Sequence, residues 1–308
     1  MGDGVAWLFP GQGSQTIGMS KELAERYPGA AGAFDEASEA LQLDLRSLCW
    51  TGPPDDLDRT VNAQPALLTA SIAALRAAND AVGGLADSIV IAGHSLGEFT
   101  ALVAAGAVTL ADGVRLVRRR GELMQMADPS GGMLVVIGLD AVAIATAIDG
   151  SGLVVANDNA PGQVVISGPR DGFERATASL KAAGAKRVIP LRTSAAFHSP
   201  AMRQVGPDLA KAVQVTAFSP LRYPVVSNVD ARVHEHAGDF PSLLEKQVWS
   251  PVQWVACMRR AAGEGAAAFV EFGPGSVLTG LAKRILPGAR TANVSDAKTL
   301  EEALTVLR

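Results

Sequence analysis

The order of apolar segments constrains the fold of this chain more than any other feature. Short β-branched runs, such as Val5–Phe9 and Ser88–Ala92, alternate with longer Ala- and Leu-rich stretches that have helical periodicity. Strands that alternate with helices build βαβ units, in which helices cover a mainly parallel sheet. We therefore predict an α/β fold with a mainly parallel sheet.

The pattern of predicted strands and helices changes near residue 128, and this change predicts a second, smaller unit. The predicted strands there are Met133–Leu139, Leu153–Asn157, Gln163–Ser167 and Arg187–Leu191, and the predicted helices are Ala141–Asp149 and Asp171–Ala183. Their order, βαββαβ, is the ferredoxin-like arrangement. Because helical and apolar runs then resume, we predict a large subdomain of residues 1–127 and 198–308, interrupted by a ferredoxin-like subdomain of residues 128–197.

Composition excludes several classes of protein. The net charge of -4, with both signs interleaved, argues against a nucleic-acid partner, which would need a basic stripe. Cys49 and Cys257 lie far apart without metal-ligand spacing, so neither a disulfide framework nor a metal site is indicated. No secretory signal, lipidation motif or apolar stretch of about 20 residues is present. We expect a cytoplasmic protein that does not associate with membranes.

The segment Gly93–Gly97, with the sequence GHSLG, predicts a serine nucleophile. It follows a predicted buried strand and precedes a helical run, which is the context of a nucleophile elbow. In such a turn Ser95 is held in a strained, accessible position. The backbone N–H of Leu96 then lies at the start of a helix, where it can donate to an oxyanion.

A nucleophilic serine needs a base, and the chain has four histidines. His94 adjoins the serine and is expected to pack or bond locally, whereas His234 and His236 lie in a polar segment that indicates solvated surface. His198 remains, at the predicted return from the small to the large subdomain, where sites commonly form. Between Ser95 and His198 no carboxylate stands at an obvious strand end, so we expect another group to orient the imidazole.

One arginine departs from its helical pattern. Arg120 shares a face with Leu116 and Met124, so its guanidinium is expected to point inward. The other arginines of this segment are predicted to surround Glu122 on a polar face: Arg115, Arg118 and Arg119. An inward guanidinium needs a partner. Two interpretations remain open, a structural ion pair or a fork that binds the carboxylate of a ligand.

Seven motifs together resemble one enzyme family. In chain order they are FPGQGSQ, GHSLGE, RRRGELM, NDNAPGQVVISG, AAFHSP, QVWSPVQW and EFGPGSVLTGLAKRI. Spanning residue 9 to about residue 285, they resemble the malonyl-CoA:acyl-carrier-protein transacylases, a family shared with polyketide synthase acyltransferase domains. The resemblance implies a hydrolase-like core with an inserted ferredoxin-like subdomain.

The resemblance also implies roles for individual residues. The catalytic residues would be Ser95, which carries the acyl ester, and His198, its base and acid. The oxyanion would be held by Gln12, in the first motif, and by the backbone N–H of Leu96. Arg120 would bind the malonyl carboxylate, the backbone carbonyl of Gln247 would orient the histidine, Asn159 would lie near the substrate, and Phe197 resembles the pattern of malonyl-selective members.

The implied activity is a ping-pong transfer of malonyl from malonyl-CoA to the phosphopantetheine thiol of an acyl carrier protein, in fatty acid or polyketide synthesis. We expect a monomer that needs no metal or organic cofactor. Alternatives are the malonyl transfer subunit of a malonate decarboxylase, a serine esterase or thioesterase, and a non-catalytic module that binds the carrier.

Overall fold

The computed structural model describes residues 4–307. Its strands are β1 (Gly4–Phe9), β2 (Val90–Gly93), β3 (Gly131–Ile137), β4 (Val154–Ala160), β5 (Gln163–Pro169), β6 (Arg187–Pro190), β7 (Val225–Val226), β8 (Val233–His234), β9 (Ala266–Phe272) and β10 (Arg290–Val294). Its helices are α1 (Lys21–Arg26), α2 (Pro28–Leu41), α3 (Leu45–Trp50), α4 (Pro54–Asp58), α5 (Thr60–Val82), α6 (Leu96–Ala104), α7 (Leu110–Ala127), α8 (Ala141–Ala147), α9 (Phe173–Ala182), α10 (Gly206–Val215), α11 (Phe240–Gln247), α12 (Trp254–Gly263), α13 (Val277–Ile285) and α14 (Ala297–Leu307).

The larger sheet has the strand order β10-β9-β1-β2-β7-β8. All neighbours are parallel except β7 and β8, which pair antiparallel. The predicted α/β fold with a mainly parallel sheet is therefore confirmed. Central β1 and β2 end side by side, with Phe9 paired to Gly93. Ligand sites of such sheets form at the carboxyl ends of the strands, so this edge is where a site is expected.

Helices cover both faces of this sheet. Along β1, Trp7 and Phe9 belong to the core that includes α2, α5 and α7, whereas Ala6 and Leu8 belong to a second core with α12 and α13. Side chains alternate between the faces of a strand, so a strand covered on both sides is apolar at every position. This burial explains the uninterrupted apolar run at the start of the sequence.

The smaller sheet has the order β4-β5-β3-β6, and all its neighbours are antiparallel. Its strands and the two helices α8 and α9 follow one another as βαββαβ, as the sequence predicts. Leu134 and Val136 of β3 pack with Ile144 of α8 and Leu180 of α9 in a separate core. This core holds the inserted unit together independently of the large sheet.

Boundaries of the predicted elements differ by a few residues. β3 ends at Ile137 and excludes Leu139, because Gly138 adopts a φ of 106° that turns the chain. β4 continues past Asn157 to Ala160 through two irregularities in its pairing with β5. Within residues 4–307 no helix combines the length and the apolar character needed to cross a membrane.

Candidate active site

The turn between β2 and α6 exposes Ser95 at the carboxyl edge of the large sheet. Ser95 has a φ of 54° and a ψ of -105°, a strained conformation for a serine. A Cβ on Gly93 would lie 1.9 Å from the carbonyl carbon of Gly97, and a Cβ on Gly97 would lie 2.1 Å from the carbonyl oxygen of Phe9. Only glycine fits at both positions, which is the physical reason for the GHSLG pattern. The Ser95 side chain lines a cleft of about 670 Å³.

His198 contacts this serine directly. Its Nε2 lies 2.8 Å from Ser95 Oγ, and its Nδ1 lies 2.9 Å from the Gln247 carbonyl oxygen and 3.1 Å from that of Ser250. Carbonyl oxygens only accept, so Nδ1 carries the proton and Nε2 is free to accept the serine proton. Two backbone carbonyls therefore occupy the place that a carboxylate has in a triad.

The environment of His198 favours its neutral form. Burial, together with the nearby Arg120 charge, lowers the pKa of this imidazole to about 3. Hydrogen bonds to the carbonyls of Gln247 and Ser250 act in the opposite sense, because they stabilise the positively charged imidazolium more than the neutral ring. At neutral pH the imidazole is consequently an unprotonated base.

The guanidinium of Arg120 is buried beside the serine, as its helical face predicts. Nη2 donates to Ser95 Oγ at 3.1 Å and to Gln247 Oε1 at 3.0 Å, and Nη1 donates to Gln64 Oε1 at 3.0 Å. None of the ion pairs among residues 4–307 involves Arg120, and its buried Nε has no partner there. A neutral amide and hydroxyl shell therefore takes the place of a structural ion pair.

Burial lowers the pKa of Arg120 to about 9, while the negative charge of Glu98 acts to raise it. The side chain is thus still charged at neutral pH. A buried cation without a paired anion is costly, and a ligand carboxylate would relieve this cost. The arrangement can select an acyl group that ends in a carboxylate.

The remaining arginines of α7 are only partly placed as the sequence predicts. Arg118 and Arg119 contact Glu122 at 3.5 and 3.3 Å. Arg115 was wrongly grouped with them, because it pairs with Asp112 at 3.2 Å, one turn earlier on the helix. Arg115 lies too near the amino end of α7 to share the Glu122 carboxylate.

Three further predicted residues line the cleft: Gln12, Leu96 and Phe197. Gln12 Nε2 donates to Thr60 Oγ1 at 3.2 Å, which holds the amide at the rim. Leu96 is the first residue of α6, so its N–H has no partner within the helix. It lies beside Ser95, where it can donate to an oxyanion formed at the serine.

Asn159 and His94 differ from their expected surroundings. His94 Nε2 donates to Asn159 Oδ1 at 2.7 Å, and its ring packs against Trp254. The prediction that His94 packs or bonds is confirmed, but β4 and α12 supply its neighbours, and not the adjacent residues of the turn. Asn157, two residues before Asn159, lines the cleft, whereas Asn159 reaches the cleft through His94.

The prediction of a solvated polar segment holds for His236, which is exposed, but not for His234. His234 is half-buried in β8, between Asp239 at 3.0 Å and Asp230 at 3.3 Å. Neither of the two lines the Ser95 cleft. Among residues 4–307, no three His, Cys, Asp or Glu side chains are grouped so as to hold a metal ion.

Three buried polar residues of the site were not identified from the sequence: Gln64, Glu98 and Asn228. Asn228 Oδ1 accepts from the Ser95 N–H at 2.7 Å, and its Nδ2 donates to the Gly93 carbonyl at 2.8 Å. Glu98 stands in an otherwise apolar run directly after the elbow. A carboxylate at such a position is itself a signal, because a buried charge needs a specific partner.

Comparisons with known proteins agree with this geometry. The family described as "Acyl transferase domain" matches residues 6–301. The malonyl CoA-acyl carrier protein transacylase of Bacillus subtilis (strain 168) is 43% identical over 311 residues, covering 99% of this chain and 97% of that protein.

Solved structures are equally close. An acyl carrier protein S-malonyltransferase from Vibrio cholerae is 41% identical, with a TM-score of 0.93 over 97% of this chain and 99% of that one. A malonyl-transacylase solved in complex with its type II PKS acyl-carrier protein is 40% identical, with a TM-score of 0.93 over 99% of both chains. The chain therefore belongs to the acyl transferase family, in the group that contains the malonyl CoA-acyl carrier protein transacylases.

Proposed function

We propose that this protein transfers a malonyl group from malonyl-CoA to the phosphopantetheine thiol of an acyl carrier protein, through an ester on Ser95. One observation carries the choice of malonyl. The buried Arg120 guanidinium lies 3.1 Å from Ser95 Oγ and has no carboxylate partner among residues 4–307. A malonyl group on that oxygen brings its own carboxylate to this cation.

In the first half-reaction, Ser95 Oγ attacks the thioester carbonyl while His198 Nε2 takes the hydroxyl proton. The tetrahedral oxyanion is stabilised by the Leu96 N–H, with Gln12 beside it. Collapse breaks the carbon–sulfur bond, and the imidazolium returns its proton to the leaving CoA sulfur. The 2.8 Å contact between Oγ and Nε2 supports this proton transfer.

In the second half-reaction, the carrier thiol gives its proton to His198 Nε2 and attacks the ester carbonyl. The carbon–oxygen bond of the ester breaks, and Ser95 Oγ recovers the proton. Gln247 supports both steps, because its carbonyl fixes the imidazole at 2.9 Å and its side chain holds Arg120 at 3.0 Å. Phe197 closes the cleft on the apolar side, and Asn159 acts through His94.

The relatives support a carrier protein as acceptor: the names of these transacylases contain it, and one is solved with its type II PKS acyl-carrier protein. A decarboxylase subunit or a serine esterase or thioesterase has no such support. We further propose that the protein works in fatty acid or polyketide synthesis as a cytoplasmic monomer. The Ser95–His198 pair supplies nucleophile and base, so the reaction is proposed to need no metal or organic cofactor.

Intact-protein mass spectrometry after brief exposure to malonyl-CoA tests this function. We expect the protein to gain one malonyl group, to lose it when a carrier protein is added, and to gain none in Ser95→Ala. Ser194→Ala is the matched control, because Ser194 is an exposed serine near the same cleft and should leave acylation intact. A malonyl group that appears on a cysteine, or that goes only to water, overturns the proposal.

A further inference from the structure

A buried carboxylate connects the elbow with Arg120 but contacts neither Ser95 Oγ nor the guanidinium. Glu98 lies in the first turn of α6 and has no exposed surface. Its Oε2 accepts from Gln247 Nε2 at 2.6 Å and from the Asn228 N–H at 3.1 Å. Its Oε1 is buried and has no partner among residues 4–307.

Glu98 determines which way the Gln247 amide faces. The Gln247 Nε2 donates to Glu98 and also to the Ser95 carbonyl oxygen at 3.0 Å, so its oxygen is directed to Arg120 Nη2. In the reversed orientation, the amide nitrogen would face the guanidinium, and two donors would oppose each other. An acceptor at Glu98 therefore keeps an acceptor available for Arg120.

The same carboxylate supports the elbow through Asn228. Its backbone N–H donates to Glu98, while its side chain accepts from the Ser95 N–H and donates to the Gly93 carbonyl. Glu98 also supplies negative charge near Arg120, which acts to raise the pKa of that guanidinium. One side chain thus contacts the two residues that hold the nucleophile turn and the cation in place.

We propose that Glu98 is a positioning residue for acyl selectivity: by accepting from Gln247 and Asn228, it holds Arg120 in the geometry that binds an acyl carboxylate at Ser95. The proposal deepens the proposed function and rests on it. It concerns a carboxyl oxygen that accepts hydrogen bonds, so an amide at this position should replace it, whereas a shorter carboxylate should not.

The experiment compares self-acylation rates with malonyl-CoA and acetyl-CoA and uses their ratio as the readout. Glu98→Asp keeps the charge but withdraws the oxygen from Gln247, and the ratio should fall about tenfold, as for one charge-assisted hydrogen bond. Glu98→Gln keeps an accepting oxygen, and its ratio should stay within about threefold of wild type. If Glu98→Asp does not fold, Glu98→Ala serves the same comparison with the same expected fall.

Glu271→Asp is the matched control, because it shortens another fully buried glutamate, which accepts from the Thr279 N–H at 2.8 Å and does not line the Ser95 cleft. It should destabilise the fold without changing the ratio. An unchanged ratio in Glu98→Asp, an equal fall in Glu271→Asp, or a fall in Glu98→Gln overturns the role of Glu98. A wild-type protein that takes no malonyl group instead overturns the proposed function itself.

Discussion

Arg120 is the residue on which we propose that selectivity for a carboxylated acyl group depends. Its replacement by alanine should slow malonyl self-acylation on the order of a hundredfold, since losing one partner of a shielded charge pair costs roughly 2–5 kcal/mol and each 1.4 kcal/mol is about tenfold. Acetyl has no carboxylate, so its rate should change little. Rates from both thioesters measure this, with Arg120→Lys falling between because it keeps the charge without the fork. Equal losses for both thioesters would make Arg120 a structural residue.

His198 decides how the reaction depends on pH. A buried imidazole with its pKa lowered to about 3 stays neutral as the pH falls, so the base should remain available well below the ordinary histidine pKa of about 6.5. Self-acylation should therefore show no loss attributable to His198 between about pH 7 and pH 5. Burial raises the pKa of Glu98 to about 7, but a proton on its unpartnered Oε1 leaves Oε2 able to accept, so this titration should not change the rate. An inflection near pH 6.5 in self-acylation contradicts the expectation for His198.

The lowered pKa of His198 also makes the stability of the fold depend on pH. Between roughly pH 6.5 and pH 3 the unfolded chain binds a proton at His198 that the folded chain does not bind. The free energy of unfolding therefore falls as the pH falls through this window. His198→Gln removes the titration. The stability of the wild type should accordingly fall more steeply with acid than that of the variant.

At the scale of elements, the junction of β2 and α6 leaves no room for a side chain at its two glycines, Gly93 and Gly97. Gly97→Ala should destabilise the protein by several kcal/mol and abolish acylation, because the new Cβ would lie 2.1 Å from the Phe9 carbonyl oxygen, which is backbone and cannot move alone. Gly280→Ala is the matched control: Gly280 is an exposed helical residue of α13, with nothing within 4 Å of its added Cβ. It should raise stability by roughly 0.5–1 kcal/mol. Thermal melts that rank the two variants the other way refute the steric argument.

At the scale of the whole molecule, the cleft is lined by residues of both subdomains, so we expect a carrier to contact both. Since the chain is net negative and carriers of this kind are expected to be acidic, we expect basic residues to make the contacts: Lys186, Arg187, Lys283 and Arg284. None of these four lines the cleft itself. Arg284 already donates to the Pro161 carbonyl at 2.7 Å and to Gln163, which ties α13 to the small sheet. Lys186, Arg187 and Lys283 are therefore better candidates for docking.

Charge reversal tests this docking face. Lys186→Glu combined with Arg187→Glu should slow transfer to the carrier and weaken its dependence on salt, while self-acylation by malonyl-CoA stays near wild type. Lys298→Glu, on α14 and exposed, is the control for charge reversal elsewhere on the surface, with half the change in net charge. Equal slowing of both half-reactions would remove the support for a docking role.

Much of this molecule follows from short stretches of sequence. The alternation of strands and helices, the βαββαβ order of the insertion and the GHSLG turn all depend on periodicity and turn chemistry within a few residues, which the backbone imposes locally. The inward face of Arg120 and the elimination that leaves His198 are local deductions of the same kind. The predicted ends of strands and helices were less accurate, because single residues such as Gly138 decide where a strand stops.

Only the tertiary structure decided what these residues contact. Arg120 meets Gln64 and Gln247 across separations of 56 and 127 residues, and the Ser95 N–H meets Asn228 Oδ1 across 133. The motifs alone did not indicate that the side-chain amides of Gln64 and Gln247, and not a carboxylate, surround Arg120. They also did not indicate that the Glu98 carboxylate accepts from Gln247. The reason is physical: a side chain's own sequence sets its face and reach, whereas its hydrogen-bond partners are fixed by how distant elements pack.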